Sequence, residues 1–156
     1  MRRIGITGGI GSGKSVVSRL LRIMGYSVYD TDSEAKRLME SSLEVVQKLS
    51  ECFGRDIYHN GRLNRGLLSS RVFGESDKIV LLNSIVHPVV RFDFYRWSES
   101  LNEEICFVES AILYESRFDE LVDEVWTVTA PEELRISRVR QRSGLTEEEI
   151  KKRMAG

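Results

Sequence analysis

A glycine-rich octapeptide near the start of the chain constrains the fold more than any other feature. The residues from Gly8 to Ser15 read G-G-I-G-S-G-K-S, which completes the pattern G-x-x-x-x-G-K-[ST]. They follow the apolar run Ile4–Ile6 and precede a helical pattern of apolar residues that begins at Val16. A strand, a glycine-rich turn and the start of a helix form the sequence context expected of a phosphate-binding loop. This context disfavours the alternative, a glycine-rich turn that only connects a strand to a helix.

Phosphate chemistry uses each part of this loop. Glycines let the backbone wrap around an anion and point several N–H groups at it, and the positive end of the following helix adds to that field. Lys14 can reach the β- and γ-phosphates, and Ser15 offers a hydroxyl to Mg²⁺. We therefore predict that the chain binds a nucleoside triphosphate. The predicted loop contacts are Gly9, Ile10, Gly11, Ser12, Gly13, Lys14, Ser15 and Val16.

Composition narrows the class of partner. The chain has 156 residues and a formal net charge of −1, which gives no general argument for binding nucleic acid or a membrane surface. We expect a cytoplasmic protein that acts on small molecules, as a monomer or weak homo-oligomer. Its two cysteines, Cys52 and Cys106, both lie in apolar patterns, so we expect buried thiols rather than a disulfide.

Strand and helix patterns alternate along the chain, which predicts an α/β fold with a doubly wound parallel sheet of the P-loop kinase type. The predicted strands are Arg3–Thr7, Ser27–Tyr29, Ile105–Val108 and Glu124–Thr129. The predicted helices are Lys14–Met24, Ser33–Met39, Leu43–Cys52, Asn64–Phe73, a long one over about 77–101, Pro131–Arg142 and Thr146–Met154. Pro88 lies inside the long pattern, so we expect a kink or break near residues 86–87.

The helical block between the second and third strands predicts the domain organisation. A simple nucleotide switch does not need such a block, whereas a kinase that covers a second substrate does. We expect residues 1–39 and 102–130 to form a nucleotide-binding core. Residues 40–101 would form a helical acceptor-binding insertion, and residues 131–156 an arginine-bearing lid.

Two carboxylates follow the second predicted strand. Asp30 and Asp32 are two residues apart, so they share a face if the chain is extended. One can bind Mg²⁺ or its water, and the other can accept a proton from an attacking hydroxyl. The alternative is helix capping, with Asp32 or Ser33 as the N-cap. The spacing alone leaves these two interpretations open.

Arginines on a later helix are the third candidate feature. Arg135, Arg138 and Arg142 recur at helical spacing on one face, with Arg140 to the side. Such a segment can close over the γ-phosphate and stabilise its charge during phosphoryl transfer. A solvated basic face that pairs with Glu132 and Glu133 is the alternative.

Taken together, these motifs resemble the dephospho-coenzyme A kinase family, over essentially the whole chain with order and spacing preserved. The matching residues are Thr7–Ser15, Asp30-Thr31-Asp32 with Ala35 and Arg37, Gly61–Arg65 with Leu68 and Phe73, His87-Pro88, Ile112–Glu115 and Arg138–Arg142. The resemblance implies ATP- and Mg²⁺-dependent phosphorylation of the ribose 3′-hydroxyl of dephospho-coenzyme A. The chain would then carry out the last step of coenzyme A biosynthesis.

The resemblance also implies roles for particular residues. Asp32 would be the general base, with Lys14 and Arg138 as the other catalytic groups. Arg138 and Arg142 would face ATP, and Ser15, Asp30 and Glu109 would hold Mg²⁺. The implied substrate contacts are Thr7, Asp32, Arg65, His87, Arg91 and Glu115.

The chain departs from the family pattern in three places. It has Glu109-Ser110-Ala111 where the family has Asp, an apolar residue and Pro, and it has Val16 in place of Thr. It also stops near the lid, so we expect the family's last strand and helix to be missing from this sequence. The alternatives are another small-molecule P-loop kinase, of the nucleoside monophosphate or shikimate type, and a nucleotide-binding protein without catalytic activity. A GTPase-type switch is disfavoured because N-K-x-D and D-x-x-G strings are absent from the sequence.

Overall fold

The computed structural model describes residues 1–155, in which strands and helices alternate. The strands are β1 (Arg2–Thr7), β2 (Val28–Asp30), β3 (Tyr58–His59), β4 (Arg62–Leu63), β5 (Ile105–Glu109) and β6 (Glu124–Thr127). The α-helices are α1 (Lys14–Ile23), α2 (Thr31–Ser41), α3 (Leu43–Phe53), α4 (Arg65–Val72), α5 (Ser76–Ser100), α6 (Glu132–Ser143) and α7 (Glu147–Ala155). Two 3-10 helices cover Arg55–Ile57 and Phe118–Leu121.

The chain folds into two compact units. The first contains residues 1–30 and the described residues from 101 onward, and the second contains Thr31–Ser100. The first unit thus includes α6 and α7, the two helices formed by the segment that was predicted to be a lid. Helix α2 belongs to the second unit, whereas the sequence prediction assigned residues up to 39 to the nucleotide-binding core.

The first unit is built on a parallel sheet with strand order β2-β5-β1-β6. Ile4 of β1 is in register with Phe107 of β5 on one side and with Glu124 of β6 on the other. Because all four strands run in one direction, their carboxyl ends meet at one edge, where α/β proteins bind ligands. The predicted doubly wound parallel sheet is confirmed.

Helix α1 covers part of one face of this sheet. Leu21 packs with Ile4, Ile6 and Phe107 in a buried cluster, and Val17 packs against the same cluster one turn earlier. The four-residue spacing of Val17 and Leu21 places both on one side of the helix. This packing anchors the helix that begins directly at the end of the glycine-rich loop.

The second unit is mainly helical, with a short antiparallel hairpin of β3 and β4. Helices α2, α3 and α5 pack against one another, and their core includes Val45, Leu49 and Phe94, all fully buried. Helix α4 begins where the Asn64 side chain accepts a hydrogen bond from the Leu67 N–H at 3.0 Å. Side-chain caps of this kind define where a helix starts.

Helix α5 continues without interruption through Pro88, so the predicted break is wrong. Proline removes one helical hydrogen bond, which leaves the carbonyl of residue 84 without its usual donor. Both Ser84 and Pro88 lie on the exposed side of α5, where water can solvate that carbonyl. On the opposite side the buried residues Val86, Val90 and Phe94 hold the helix on the core.

The prediction for the two cysteines is half right. Cys106 is buried in β5, but Cys52 is exposed, and both are free thiols. The apolar face of α3 consists of Val45, Leu49 and Phe53, which recur every four residues, and Cys52 falls beside this face.

Among the described residues, the structure has no helix both long enough and apolar enough to span a bilayer.

We predict that Phe94→Ala strongly destabilises the second unit. Phe94 is fully buried, so the truncation should lower the free energy of unfolding by about 3–5 kcal/mol. Phe92→Ala is the matched control, because Phe92 lies on the same helix and is 63% exposed. Its only described ring contact is with Arg96, so its loss should cost less than about 1 kcal/mol. Urea denaturation followed by circular dichroism measures both, and equal destabilisation would contradict this packing.

Candidate active site

The loop between β1 and α1 has the backbone geometry of an anion site. Gly11 and Gly13 adopt positive φ angles of 74° and 106°, which favour glycine. Gly13 is the N-cap of α1, and within the described part of the chain no side chain caps this helix start. The loop therefore lies at the positive end of the α1 dipole, a position that favours an anion.

Two polar side chains complete the loop. The Lys14 ammonium group donates hydrogen bonds to the carbonyl oxygens of Gly8, at 2.6 Å, and Gly9, at 3.4 Å. The Ser12 hydroxyl is buried and has no hydrogen-bond partner among the described residues. A buried hydroxyl in that state is costly, and a phosphate oxygen would satisfy it.

A cavity of about 870 Å³ opens beside this loop. Its lining residues are Ile10, Gly11, Ser12, Gly13, Lys14, Ser15, Val16, Val17, Ala111, Val128, Arg138, Gln141 and Arg142. All predicted nucleotide contacts except Gly9 line it. Sequence reasoning missed Val17, Ala111, Val128 and Gln141. Of these, Gln141 carried a signal, because it lies three residues after Arg138 on the same helix.

Helix α6 contacts the loop directly. Arg138 Nη1 donates to the carbonyl oxygens of Gly11, at 3.2 Å, and Ser12, at 3.3 Å. Arg142, one turn further along α6, lines the same cavity. These contacts favour the site interpretation of the arginines over a purely solvated basic face.

Two carboxylates lie on neighbouring strand ends of the first unit. Asp30 ends β2 and Glu109 ends β5, and the two residues are register partners. The N–H of Ser110 donates to the Ile6 carbonyl at 3.0 Å. Despite the departure from the family pattern, Glu109 therefore sits at the carboxyl edge of the sheet.

The oxygen donors of the first unit fit Mg²⁺. Among the residues that the structure describes, no three His, Cys, Asp or Glu side chains group to hold a metal. Mg²⁺ in phosphoryl-transfer sites needs only one or two protein oxygens, because phosphates and water supply the others. Ser15, Asp30 and Glu109 are donors of that kind.

Asp32 lies in the second unit, in the first turn of α2, because that helix begins at Thr31. The expectation that Asp30 and Asp32 share one face of an extended chain is therefore wrong. The capping alternative is also wrong, since neither Asp32 nor Ser33 precedes the helix. Acidic residues in a first helical turn stabilise it through the helix dipole, and Asp32 and Glu34 both lie there. This explains why α2 begins two residues earlier than predicted.

A second cavity, of about 360 Å³, lies within the second unit. Its lining residues are Asp32, Ala35, Lys36, Met39, Leu63, Arg65, Leu68, Ser69, Val72 and Leu82. Arg65 is held there by the Lys36 carbonyl at 3.4 Å and by the Glu40 carboxylate at 3.6 Å. The structure thus brings together Asp32 and Arg65, two of the predicted substrate contacts.

The other predicted substrate contacts line neither of these two cavities. His87 and Arg91 lie one turn apart on α5, Thr7 is buried at the end of β1, and Glu115 is exposed in the first unit. Burial lowers the pKa of His87 below its usual 6.5. The imidazole is therefore neutral at pH 7, and it offers a hydrogen bond rather than a positive charge.

Burial also changes the pKa of Tyr58, which contacts Met39 of the second cavity. Desolvation, with the nearby Glu40 carboxylate, raises the pKa of Tyr58 to about 12. Its hydroxyl donates to the Met39 carbonyl at 2.6 Å. Tyr58 therefore stays protonated at neutral pH and holds the end of α2 against the hairpin.

A phosphate-binding loop at the carboxyl edge of a parallel sheet, with arginines of a later helix beside it, defines a P-loop protein of the kinase class. The sequence model of one family, described as dephospho-CoA kinase, matches residues 2–156. The chain belongs to the dephospho-CoA kinase family, and it is a transferase, as predicted.

Individual relatives agree with this assignment. A protein from Porphyromonas gingivalis named dephospho-CoA kinase is 46% identical over 154 residues, which covers 99% of this chain and 76% of that protein. One of the same name from Bacteroides fragilis is 41% identical over 153 residues, covering 97% and 75%.

Solved structures confirm the fold class. A Thermus thermophilus protein superposes with a TM-score of 0.83 at 38% identity, covering 97% of this chain and 78% of that chain. Dephospho-CoA kinase from Campylobacter jejuni gives a TM-score of 0.70 at 24% identity, covering 99% and 80%. Shikimate kinase from Acinetobacter baumannii shares the fold at a TM-score of 0.54 and 16% identity, covering 99% and 73%.

We predict that Gly11→Ala weakens nucleotide binding by at least about tenfold. A Cβ there would sit 2.7 Å from the Arg135 carbonyl oxygen, and the positive φ adds strain. Gly25→Ala is the control, because Gly25 has a φ of 93° and nothing within 4 Å of the added Cβ. The control should lose about 1 kcal/mol of stability at unchanged affinity. Calorimetric titration with Mg·ATP measures this, and equal affinities in both variants would contradict the geometry.

His87 gives a pH-dependent prediction. Because its folded-state pKa is lowered, the unfolded chain takes up a proton first as the pH falls. The stabilisation from neutral His87 is therefore complete above pH 6.5 and is lost progressively below it. His87→Gln should lose less stability than the wild type between about pH 7 and pH 5. Urea midpoints across this range test the difference, and identical pH profiles for the variant and the wild type would contradict it.

Proposed function

We propose that this chain transfers the γ-phosphoryl group of ATP to the ribose 3′-hydroxyl of dephospho-coenzyme A, which gives coenzyme A and ADP. The observation that carries the proposal is the cavity of the first unit, in which Lys14, Ser15, Arg138 and Arg142 line one space beside the glycine loop. The identity of the acceptor, dephospho-coenzyme A, is inferred from membership in the dephospho-CoA kinase family. The reaction would be the last step of coenzyme A biosynthesis.

The proposed phosphate contacts follow from charge and geometry. The N–H groups at the start of α1 donate to phosphate oxygens, and Lys14 adds a mobile positive charge. Arg138 and Arg142 stabilise the charge that spreads over the γ-phosphoryl oxygens in the transition state. Lys14 and Arg138 donate hydrogen bonds to carbonyl oxygens of the loop. The anionic oxygens of a bound phosphate are stronger acceptors than these carbonyls.

Mg²⁺ would be held by Ser15, Asp30 and Glu109, together with phosphate oxygens and water. When bound, it neutralises charge on the β- and γ-phosphates. The carboxylates of Asp30 and Glu109 fit this role because they end adjacent strands in register.

Asp32 is the proposed general base. The 3′-hydroxyl oxygen forms a bond to the γ-phosphorus, the bond to the bridging oxygen of ADP breaks, and the hydroxyl proton passes to the Asp32 carboxylate. Its cavity also contains Arg65, which can pair with a phosphate of the acceptor. The further proposed acceptor contacts are Thr7, His87, Arg91 and Glu115.

The cytoplasmic location and the monomeric or weakly oligomeric state also remain proposals. The other enzymatic alternative is a P-loop kinase for nucleoside monophosphates or shikimate, and the shared fold alone does not favour it. A protein that binds nucleotide without turnover is the alternative of a different class. The acceptor assay below separates all three.

We predict that Asp32→Asn lowers kcat by at least about a hundredfold, because it removes the proton acceptor. Its affinity for ATP should stay within about twofold, since Lys14 and the loop are unchanged. Asp77→Asn is the matched control, because Asp77 is likewise an exposed acid in the first turn of a helix of the second unit. This control should retain full turnover.

The measurement is ADP release with Mg·ATP and dephospho-coenzyme A, beside AMP and shikimate as acceptors. Turnover only with dephospho-coenzyme A supports the proposal. Turnover with another acceptor would assign the chain to a neighbouring kinase activity, and ATP binding with no turnover would favour the inactive alternative. Unchanged kcat in Asp32→Asn would exclude Asp32 as the base.

A further inference from the structure

Arg135 contacts the glycine loop in a different way from Arg138. Its Nε–H donates to the Ile10 carbonyl oxygen at 3.0 Å. Its guanidinium group covers Gly9, where an added Cβ would collide with Nη2. Arg138 and Arg142 line the nucleotide cavity, and Arg135 is absent from that lining. Arg135 therefore contacts the loop without facing the proposed ligand.

The backbone of Arg135 contacts the same loop. A Cβ on Gly11 would lie 2.7 Å from the Arg135 carbonyl oxygen and 3.1 Å from its Cα. Gly9 and Gly11 thus leave room for one residue of α6, which touches the loop through both its side chain and its main chain. Ile10 lies between these two glycines, and its carbonyl accepts the hydrogen bond.

We propose that Arg135 is a positioning residue for nucleotide binding, which holds the Ile10–Gly11 peptide so that the Gly11 N–H is presented to phosphate. The peptide group is planar and trans, so its C=O and N–H point in opposite directions. A donor that fixes the carbonyl toward α6 therefore also fixes the N–H away from α6. This inference rests on the proposed nucleotide binding by the loop.

Charge strengthens the same effect. A cationic donor on a carbonyl forms a stronger hydrogen bond than a neutral one. It also polarises the peptide, which makes the N–H on the other side of that peptide a better donor. Arg135 thus acts on the phosphates through the backbone, whereas Lys14 and Arg138 act directly.

Side-chain length gives a matched set of variants at this position. In Gln the side-chain nitrogen is the fourth atom from Cα, as Nε is in Arg, so Arg135→Gln can keep the donor. Arg135→Met places a methyl group at that point, and Arg135→Glu places an oxygen there, so neither can donate. All three residues favour helix about as well as Arg. Arg140→Gln, at an exposed position of the same helix, controls for lost charge.

Each variant would be titrated calorimetrically with Mg·ATP in the absence of acceptor, and its thermal midpoint measured. We expect Arg135→Met and Arg135→Glu to raise the dissociation constant about tenfold, the usual effect of losing a charge-assisted hydrogen bond. Arg135→Gln should stay within about threefold of the wild type, and Arg140→Gln should match the wild type. Thermal midpoints should not follow this order. In the acceptor assay, KM for ATP should rise more than kcat falls.

Three results would overturn the inference. Equal weakening by Gln, Met and Glu would show that charge, and not the donor, matters. Unchanged affinity in all three would show that the contact does not serve binding. A loss of affinity that parallels the thermal midpoints would assign Arg135 a purely structural role. Because the titration needs no acceptor, a wrong acceptor assignment leaves this test intact, whereas failure of the wild type to bind ATP would overturn both.

Discussion

The close packing of the glycine loop is the constraint on which the rest of the site depends. A Cβ on Gly8 would collide with the backbone after β6, one on Gly9 with the Arg135 side chain, and one on Gly11 with the Arg135 backbone. The same glycines that let the backbone wrap an anion also let α6 and the β6 end approach it. Phosphate binding and the seating of the arginine helix are thus two consequences of one structural requirement.

The sheet determines which other groups can join the loop. Because β1 lies between β5 and β6, its carboxyl end has the end of β5 on one side and the end of β6 on the other. This strand order places Glu109, at the end of β5, and Val128, just after β6, on either side of the end of β1. Asp30 lies opposite Glu109 for the same reason. Asp30 is the last residue of the first segment of the first unit, and the second unit begins at Thr31. The proposed metal ligand and the proposed base, two residues apart, therefore belong to different units.

Much of this could be predicted from the sequence. The loop has a strict residue pattern in a defined context, and the alternation of strand and helix patterns indicated a doubly wound parallel sheet. The helix predicted from Thr146 is observed as α7, and at its start the Glu149 N–H donates to the Thr146 hydroxyl at 3.3 Å. These features depend on local chemistry, which a single sequence contains.

Features that depend on tertiary packing could not be predicted. Helix α5 passes through Pro88 because its buried face holds it on the core, and Cys52 is exposed because the core contacts of α3 fall on other residues. The role of Arg135 was hidden for a related reason. Its helical spacing grouped it with Arg138 and Arg142. Only the fold shows that it donates to the Ile10 carbonyl and does not itself line the cavity.

The most direct test of the central claim is to identify the product by ³¹P NMR, with the wild-type protein, Mg·ATP and dephospho-coenzyme A. The account predicts that ATP signals are replaced by those of ADP, with one new phosphomonoester signal from the ribose 3′-position in equal amount. Release of inorganic phosphate without that signal, or unchanged ATP, would contradict it.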